Sequence, residues 1–441
     1  MKKYFIIMLL NAIGCFCLFG QFVPTDNKLT MYFHHLSQNN KFIGSISVFR
    51  EGNEIYNNCV GYADIEKNIK ANRNTKYRIG SISKIYTATM ILKAVEDGKL
   101  FLDQTIDIFF PFIKNSKIIT IGQLLQHRSG IHSFTDGEAF FQWNTEFKNK
   151  SEMLSIIEQQ GIDFEPGTQM KYSNSNYVLL SYILEDIYNK TYDQIFYNDI
   201  IKNLGLKNTL CGFDRNMDNT DCSSYIFYKE KWNKQTSTNL STVLGAGSII
   251  TTPYELNIFV DNLFNGNIVS QESLDQMTTI KDNFGMGIRK MKFQNYIGYG
   301  FGGHIDGFNS FFMYIPIHRI SCVILSNGLN MYLNDIAKIV FDDIFNNPYD
   351  IPNFDQGILK TIDLDKYLGT YSTLHFPIKL AITKNGDTLV AQGTGQPAFN
   401  LEYFSEHKFI FYSAKIEIEF KPEEDSLILK QGGATFIMKK E

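Results

Sequence analysis

The order of the apolar patterns along the chain constrains its fold more than any other feature. Strand-like runs stand at both ends of a large mixed region, and helix-like spacing lies between them. The predicted strands and helices near its two ends cover residues 42–49, 56–62, 83–96, 310–315, 321–326 and 333–345. This order favours an α+β fold in which the terminal strands share one sheet.

Beyond this region the pattern of apolar and polar residues changes. Residues 346–348 (Asn-Asn-Pro) and Pro352 break the helical pattern and predict a linker. Further on, apolar and charged residues alternate strictly over 415–420, and residues 384–387 (Lys-Asn-Gly-Asp) are typical of a tight turn between strands. Residues 357–441 are therefore predicted to form a small all-antiparallel domain, such as a barrel.

The first twenty residues have the layout of a secretory signal peptide, with two lysines before an apolar stretch. We therefore predict a signal peptide at residues 1–20, a large domain at 21–347 and the small domain at 357–441. Two alternatives stay open: a membrane anchor, for which the apolar run is short, and a lipoprotein signal ending at Cys15. The expected location is the periplasm or the exterior, without a stable membrane span after cleavage.

Composition excludes some classes of protein. The chain has 441 residues, enough for two cores, and its formal net charge of −4 lacks the basic character of nucleic-acid-binding proteins. The four cysteines after the leader form no Cys-x-x-Cys pair, and the histidines show no metal-ligand spacing, so we expect no metal site. Cys211 and Cys222 either form a disulfide or remain thiols.

Two Ser-x-x-Lys tetrads occur, at residues 81–84 and 405–408, and their contexts distinguish them. The second lies among strand-like residues, where side chains three positions apart diverge. Ser81 stands at the start of a predicted helix, where positions three apart share a face, so its hydroxyl meets the Lys84 amine. A desolvated lysine loses its proton more easily and can then activate the serine. The alternative is a capping serine beside a solvated lysine.

A Tyr-x-Asn triplet at residues 172–174 follows a turn and opens an apolar helix. A phenol whose pKa is lowered by a nearby lysine charge would relay a proton to a leaving group. The Asn174 amide would donate to a substrate carbonyl. The alternative is a helix-capping asparagine beside a packed tyrosine.

These motifs belong to an ordered series. The series runs through residues 77–84, 97–100, 124–131, 166–168, 172–174, 245–248 and 300–308. It resembles the serine β-lactamase and penicillin-binding superfamily, in the branch of class C β-lactamases, D-alanyl-D-alanine carboxypeptidases and related esterases. The resemblance implies a β-lactamase/transpeptidase-like domain, an antiparallel sheet flanked by helices, and the C-terminal segment resembles the small β-barrel often appended to such proteins.

The resemblance also implies a role for each motif residue. Ser81 would attack a carbonyl and form an acyl-enzyme. Lys84 and Tyr172 would share the duties of general base and general acid, and Asn174 would orient Lys84 and the substrate.

The third motif of this family is a Lys or His, a small residue and a Gly, and here Phe301, Gly302 and Gly303 take its place. The backbone N–H of His304 would then pair with that of Ser81 as an oxyanion hole. Phenylalanine gives a substrate carboxylate neither a donor nor a positive charge. Some esterases of this branch have an aromatic residue there, so Phe301 favours ester or atypical amide substrates. The His304 imidazole either substitutes for the missing donor or contributes only its main chain.

The sequence therefore predicts a serine hydrolase that acts on a small-molecule or peptide substrate and needs no cofactor. Short-chain esters, D-amino-acid peptides of the cell wall and β-lactams all remain candidates, because specificity lies in pocket shape. The alternative is a catalytically inactive binding or sensor protein on the same scaffold, which Phe301 supports. The oligomeric state stays open.

Overall fold

The structure is a computed structural model that describes residues 26–212, 222–352, 354, 363–373, 376–405, 407–411, 414, 416–431 and 434–441. The predicted signal peptide lies outside the described residues. The α-helices of the described residues are α1 (Asp26–Gln38), α2 (Ser83–Glu96), α3 (Ile121–Leu125), α4 (Lys150–Gln160), α5 (Asn174–Tyr188), α6 (Tyr192–Phe196), α7 (Lys202–Leu204), α8 (Leu244–Gly247), α9 (Pro253–Phe264), α10 (Gln271–Thr278) and α11 (Leu333–Ile344).

The strands fall into two groups, and the division between them matches the predicted boundary between the large domain and the small all-antiparallel domain. Those of the first group are β1 (Phe42–Arg50), β2 (Asn53–Val60), β3 (Tyr62–Asp64), β4 (Ile69–Lys70), β5 (Tyr77–Arg78), β6 (Leu210–Cys211), β7 (Tyr225–Tyr228), β8 (Lys231–Lys234), β9 (Ile249–Thr251), β10 (Arg289–Phe293), β11 (Tyr296–Ile305), β12 (Phe308–Ile315) and β13 (Ile320–Leu329). Those of the second are β14 (Gly369–Thr373), β15 (Phe376–Asn385), β16 (Thr388–Gly393), β17 (Phe399–Ser405), β18 (Lys408–Phe411), β19 (Ile416–Lys421), β20 (Ser426–Gln431) and β21 (Ala434–Lys440).

The main sheet joins the two ends of the first group. Its strand order is β10-β11-β12-β13-β1-β2, and these neighbours are antiparallel. The early strand β1 lies beside the late strand β13, with Ser45 opposite Leu325. The prediction that the terminal strands share a sheet is confirmed. The return strand begins and ends earlier than the predicted range of 56–62. It runs from Asn53 to Val60, and Tyr62 begins a separate ribbon with β4.

Helices cover both faces of this sheet. In β13, Val323 and Leu325 face the large helical core, whereas Cys322 and Ile324 face a second core that includes residues of α1 and α11. A strand covered on both faces has no exposed side to fill with polar residues, which explains the continuous apolar run in its sequence.

The C-terminal strands β14 to β21 close into an antiparallel barrel with its own apolar core, which confirms the predicted small all-β domain. Alternate residues Ile416, Ile418 and Phe420 point into that core. The second Ser-x-x-Lys tetrad does not run along a single strand, so the predicted divergence of its ends is wrong: it spans a hairpin, with Ser405 paired to Lys408 across β17 and β18. It therefore lacks the helical geometry that brings the first tetrad together.

Of the two alternatives for Cys211 and Cys222, a disulfide or two thiols, the structure shows two thiols. The Cys211 sulfur lies 3.0 Å from the Ser248 hydroxyl, and the Cys222 thiol donates to the carbonyl of Lys76 at 3.1 Å. Within the part of the chain that is described, none of the helices has both the length and the apolar character needed to cross a bilayer.

Candidate active site

The predicted nucleophile lies where the chain enters α2. Ser81 belongs to a short 3-10 turn, Gly80–Ile82, that continues directly into this helix. Lys84, three residues on, points back so that its Nζ lies 3.2 Å from Ser81 Oγ. Most of α2 is buried in the helical core, and the Lys84 side chain is 0% exposed. The predicted meeting of hydroxyl and amine on one helix face is therefore found.

The Lys84 amine has two further contacts, both with carbonyl-type acceptors. It donates to Asn174 Oδ1 at 2.8 Å and to the backbone carbonyl of Ala246 at 2.8 Å. Burial lowers the pKa of Lys84 well below its usual value, because the charged form loses its hydration. A neutral amine has two N–H donors and one lone pair. In that neutral form the two acceptors would take both donors and leave the lone pair for Ser81, whereas in the ammonium form the third N–H donates to Ser81 Oγ.

Tyr172 completes the group of side chains around Ser81. Its hydroxyl lies 2.6 Å from Ser81 Oγ and donates to Asn174 Oδ1 at 3.3 Å. The prediction that its pKa is lowered is wrong. Desolvation raises the pKa of Tyr172, and the opposing effect of the hydrogen bond with Ser81 is smaller. The physical reason is that burial removes the water that would stabilise the charged phenolate. Tyr172 is therefore a protonated phenol at neutral pH.

Asn174 is the first residue of α5, and its amide links the amine to a distant loop. While Oδ1 accepts from Lys84, Nδ2 donates to Thr135 Oγ1 at 2.7 Å, and the backbone N–H donates to Ser133 Oγ at 3.0 Å. No sequence pattern indicates a part for Ser133 or Thr135. They lie about forty residues earlier and belong to no motif, so only the folded chain reveals their part.

His127 forms one wall of the tyrosine's surroundings. It is 1% exposed, its ring centroid lies 4.5 Å from that of Tyr172, and its Nδ1 accepts from the Ser173 N–H at 3.2 Å. Burial lowers the pKa of His127 well below its usual value, so the ring is neutral. Its contacts are those of a packed residue that fixes the position of residues 172–174.

The strand β11 forms the opposite wall. Phe301 is 6% exposed, and its ring centroid lies 6.4 Å from that of Tyr172 and 6.2 Å from that of Phe284. The position at which the resemblance implies a Lys or His is therefore an apolar surface beside the Tyr172 phenol. The exposed His304 imidazole has its Nδ1 3.2 Å from Asn309 Oδ1, on the neighbouring strand β12.

Two glycines let β11 closely approach the turn that carries Ser81. Gly80 has φ +50°, and a Cβ on it would lie 2.9 to 3.0 Å from backbone atoms of His304. A Cβ on Gly303 would lie 2.1 Å from the carbonyl oxygen of Ile79. This contact places the His304 backbone directly beside the segment that carries Ser81, as an oxyanion hole built from these two residues requires.

We expect Gly303→Ala to lower the free energy of unfolding by about 1–3 kcal/mol, because the added methyl group overlaps the Ile79 carbonyl and must push β11 away. Urea unfolding followed by circular dichroism measures this change. Gly302→Ala is the matched control: its Cβ meets nothing closer than 3.7 Å, so a change within about 0.5 kcal/mol is expected. Equal losses of stability in both variants would show that the overlap with the Ile79 carbonyl does not cause the loss.

Among the residues described, no group of three or more His, Cys, Asp or Glu side chains is placed to hold a metal ion. The site therefore offers one hydroxyl, Ser81 Oγ, that lies within hydrogen-bond reach of both the Lys84 amine and the Tyr172 phenol.

Most of the chain matches a known protein family. The β-lactamase family model matches residues 32–341. A Bacillus subtilis protein named as the penicillin-binding protein PbpX is 30% identical over 270 residues, which cover 60% of this chain and 65% of that protein. The teichoic acid D-alanine hydrolase of Staphylococcus aureus is 25% identical over 240 residues, covering 54% of this chain and 58% of that protein. The chain thus spans less than two thirds of each of these two relatives.

A solved structure extends the similarity to the barrel. The octameric penicillin-binding protein homologue from Pyrococcus abyssi superimposes with a TM-score of 0.67 at 24% identity. The superposition covers 93% of this chain and 99% of that one, so the two proteins share both domains of the fold.

Proposed function

The chain belongs to the β-lactamase family, and on that premise we propose that it is a serine hydrolase that cleaves an ester or amide through an acyl-enzyme on Ser81. The observation that carries the proposal is the Lys84 amine, held by two carbonyl-type acceptors with Nζ 3.2 Å from Ser81 Oγ. A relative named as a hydrolase supports the reaction type.

In the proposed acylation, Ser81 Oγ attacks the substrate carbonyl carbon while its proton passes to Lys84 Nζ. The backbone N–H groups of Ser81 and His304 stabilise the negative charge on the carbonyl oxygen. The proton reaches the leaving alcohol or amine through the Tyr172 hydroxyl, which lies 2.6 Å from Oγ. Water then attacks the acyl-enzyme and gives its proton to the Lys84 amine, which returns it to Ser81 Oγ as the bond to the acyl group breaks and the acid leaves.

We expect Tyr172→Phe to lower the rate of acylation by about 10²- to 10⁴-fold, because the proton loses its route to the leaving group. Stopped-flow measurement of leaving-group release from an activated ester gives this rate. The loss should be smaller for a phenol leaving group than for an alkyl alcohol, since a phenolate departs without protonation.

Tyr182→Phe is the matched control, since that ring lies on α5 beside Lys150, with the ammonium 5.2 Å from its centroid. Unchanged acylation in Tyr172→Phe, or the same loss with both leaving groups, would contradict the relay.

The proposed substrate class follows from the apolar side chain of Phe301, which lies beside the Tyr172 phenol. Phe301 presents an apolar surface where a substrate carboxylate would need a donor, so we propose esters or amides without a carboxylate next to the scissile bond. A D-alanyl ester is the leading candidate, because the relative from Staphylococcus aureus is named as a D-alanine hydrolase.

A substrate panel tests this proposal. The purified protein is incubated with a D-alanyl ester, a D-amino acid amide, a D-alanyl-D-alanine peptide and a fluorescent penicillin. We expect turnover of the ester or the amide to exceed that of the two carboxylate-bearing compounds. Preferential reaction with the peptide or the penicillin would contradict the assignment of Phe301.

The second candidate function is a catalytically inactive binding or sensor protein, which the missing Lys or His at position 301 favours. The converging contacts of Ser81, Lys84 and Tyr172 favour the hydrolase instead. No turnover of any panel compound and no labelling by a fluorophosphonate, with the fold intact, would favour the inactive protein.

We also propose that the chain is exported to the periplasm or beyond, with residues 1–20 as a removable signal, residues 21–347 as the hydrolase domain and residues 357–441 as the barrel domain. N-terminal sequencing of the protein recovered from cells tests the cleavage. A lipid on Cys15 would establish anchoring instead.

A further inference from the structure

The turn after β11 carries a buried carboxylate that the proposed reaction does not use. Asp306 lies between β11 and β12 with φ +55°, a conformation that aspartate tolerates better than most residues. Its side chain is only 3% exposed. A buried carboxylate is costly unless it is well paired, so its partners indicate what it holds in place.

The partners of Asp306 come from two other segments. Its Oδ1 accepts from both the N–H of Thr238, at 3.0 Å, and the hydroxyl of Thr238, at 2.7 Å. Its Oδ2 lies 3.6 Å from a guanidinium nitrogen of Arg78. Arg78 in turn donates to the backbone carbonyl of Thr238 at 2.6 Å. The three residues therefore form a closed triangle, which we call the Asp306 triangle.

Each residue of the Asp306 triangle lies near, or contacts, a segment of the candidate active site. Arg78 lies three residues before Ser81, and Asp306 lies two residues after His304. Thr238 Oγ1 accepts from the Asn144 amide at 3.0 Å, on the loop that follows Thr135.

Because the triangle joins the nucleophile's segment to the end of β11, we propose that Asp306 is a positioning residue that sets the distance between the backbone N–H groups of Ser81 and His304. The two segments already touch through Gly80 and Gly303, which contribute no side chains to lock them. A misplacement of about 1 Å is enough to cost an enzyme about a hundredfold in rate. This inference rests on the proposed function, since it assigns those two N–H groups to the oxyanion hole.

The test compares Asp306→Gly with Asp306→Asn, because both residues accept the positive φ and so avoid adding backbone strain. The readout is the reaction with a fluorophosphonate probe, separated into the maximal rate of inactivation, kinact, and the concentration for half-maximal rate, KI. Asp306→Gly should lower kinact by about 10- to 100-fold and leave KI within about twofold, since only the transition state uses the oxyanion hole. Asp306→Asn keeps an acceptor for Thr238 and should lose less.

The control is Asp387→Gly, an exposed aspartate at the hairpin between β15 and β16 of the barrel, which should keep the wild-type kinact. Thermal unfolding of each variant confirms that it is folded. A wild-type kinact in Asp306→Gly, or a rise in KI with kinact unchanged, would overturn the positioning role and leave the proposed function standing. No labelling of Ser81 in the wild-type protein would overturn both.

Discussion

Ser81→Ala is expected to lower the turnover of whichever ester or amide the wild-type protein hydrolyses by about 10⁴- to 10⁶-fold. The variant removes the atom that forms the acyl bond, and neither the Lys84 amine nor the Tyr172 hydroxyl can replace it from its present position. The fold should persist, because the helix, the close glycine contacts and the three apolar cores are unaffected by the loss of one hydroxyl.

The matched control is Ser405→Ala, in the second Ser-x-x-Lys tetrad, on strand β17 of the barrel. It should retain wild-type turnover, since its tetrad lies on a hairpin and not on a helix. Turnover in Ser81→Ala above about one hundredth of the wild-type value would remove Ser81 from the reaction.

Lys84→Met is expected to slow acylation by about 10⁴-fold, because it removes the amine proposed to take the Ser81 proton while keeping a side chain of similar length. The rate of labelling by a fluorophosphonate measures the effect. Lys408→Met, which removes an amine 2.9 Å from Glu417 in the barrel, is the control and should label normally. Labelling of Lys84→Met within about tenfold of wild type would exclude the lysine as base.

The same variant tests whether the amine is neutral. Burial depresses the pKa of Lys84 in the folded protein, so between that pKa and about 10.5 the unfolded chain binds a proton that the folded chain does not. The free energy of unfolding therefore rises with pH across that window, by at most about 1.4 kcal/mol per pH unit. Lys84→Met should lack this contribution, and an identical pH slope in both proteins would contradict a neutral amine.

Local patterns were sufficient to predict much of the fold. The apolar runs of β1 and β13 identified the two strands, and the change of texture after residue 345 identified the barrel. The helical spacing of Ser81 and Lys84 predicted their contact, because positions three apart on a helix meet whatever the rest of the chain does.

Features that depend on distant segments were not accessible in this way. The second acceptor of Lys84 is a backbone carbonyl at Ala246, and Thr135 holds Asn174 from another loop, so neither follows from a local pattern. The sign of the Tyr172 pKa shift was missed for the same reason. It depends on how completely the folded chain desolvates both the phenol and the amine, which no spacing of residues specifies.

The most direct test of the central claim is to locate the covalent bond. After reaction with a fluorophosphonate, intact mass spectrometry and peptide mapping should find one adduct per chain, on the peptide that contains Ser81. The adduct should be missing from Ser81→Ala. An adduct on another residue, or none on the folded wild-type protein, would contradict the assignment of Ser81 as the nucleophile.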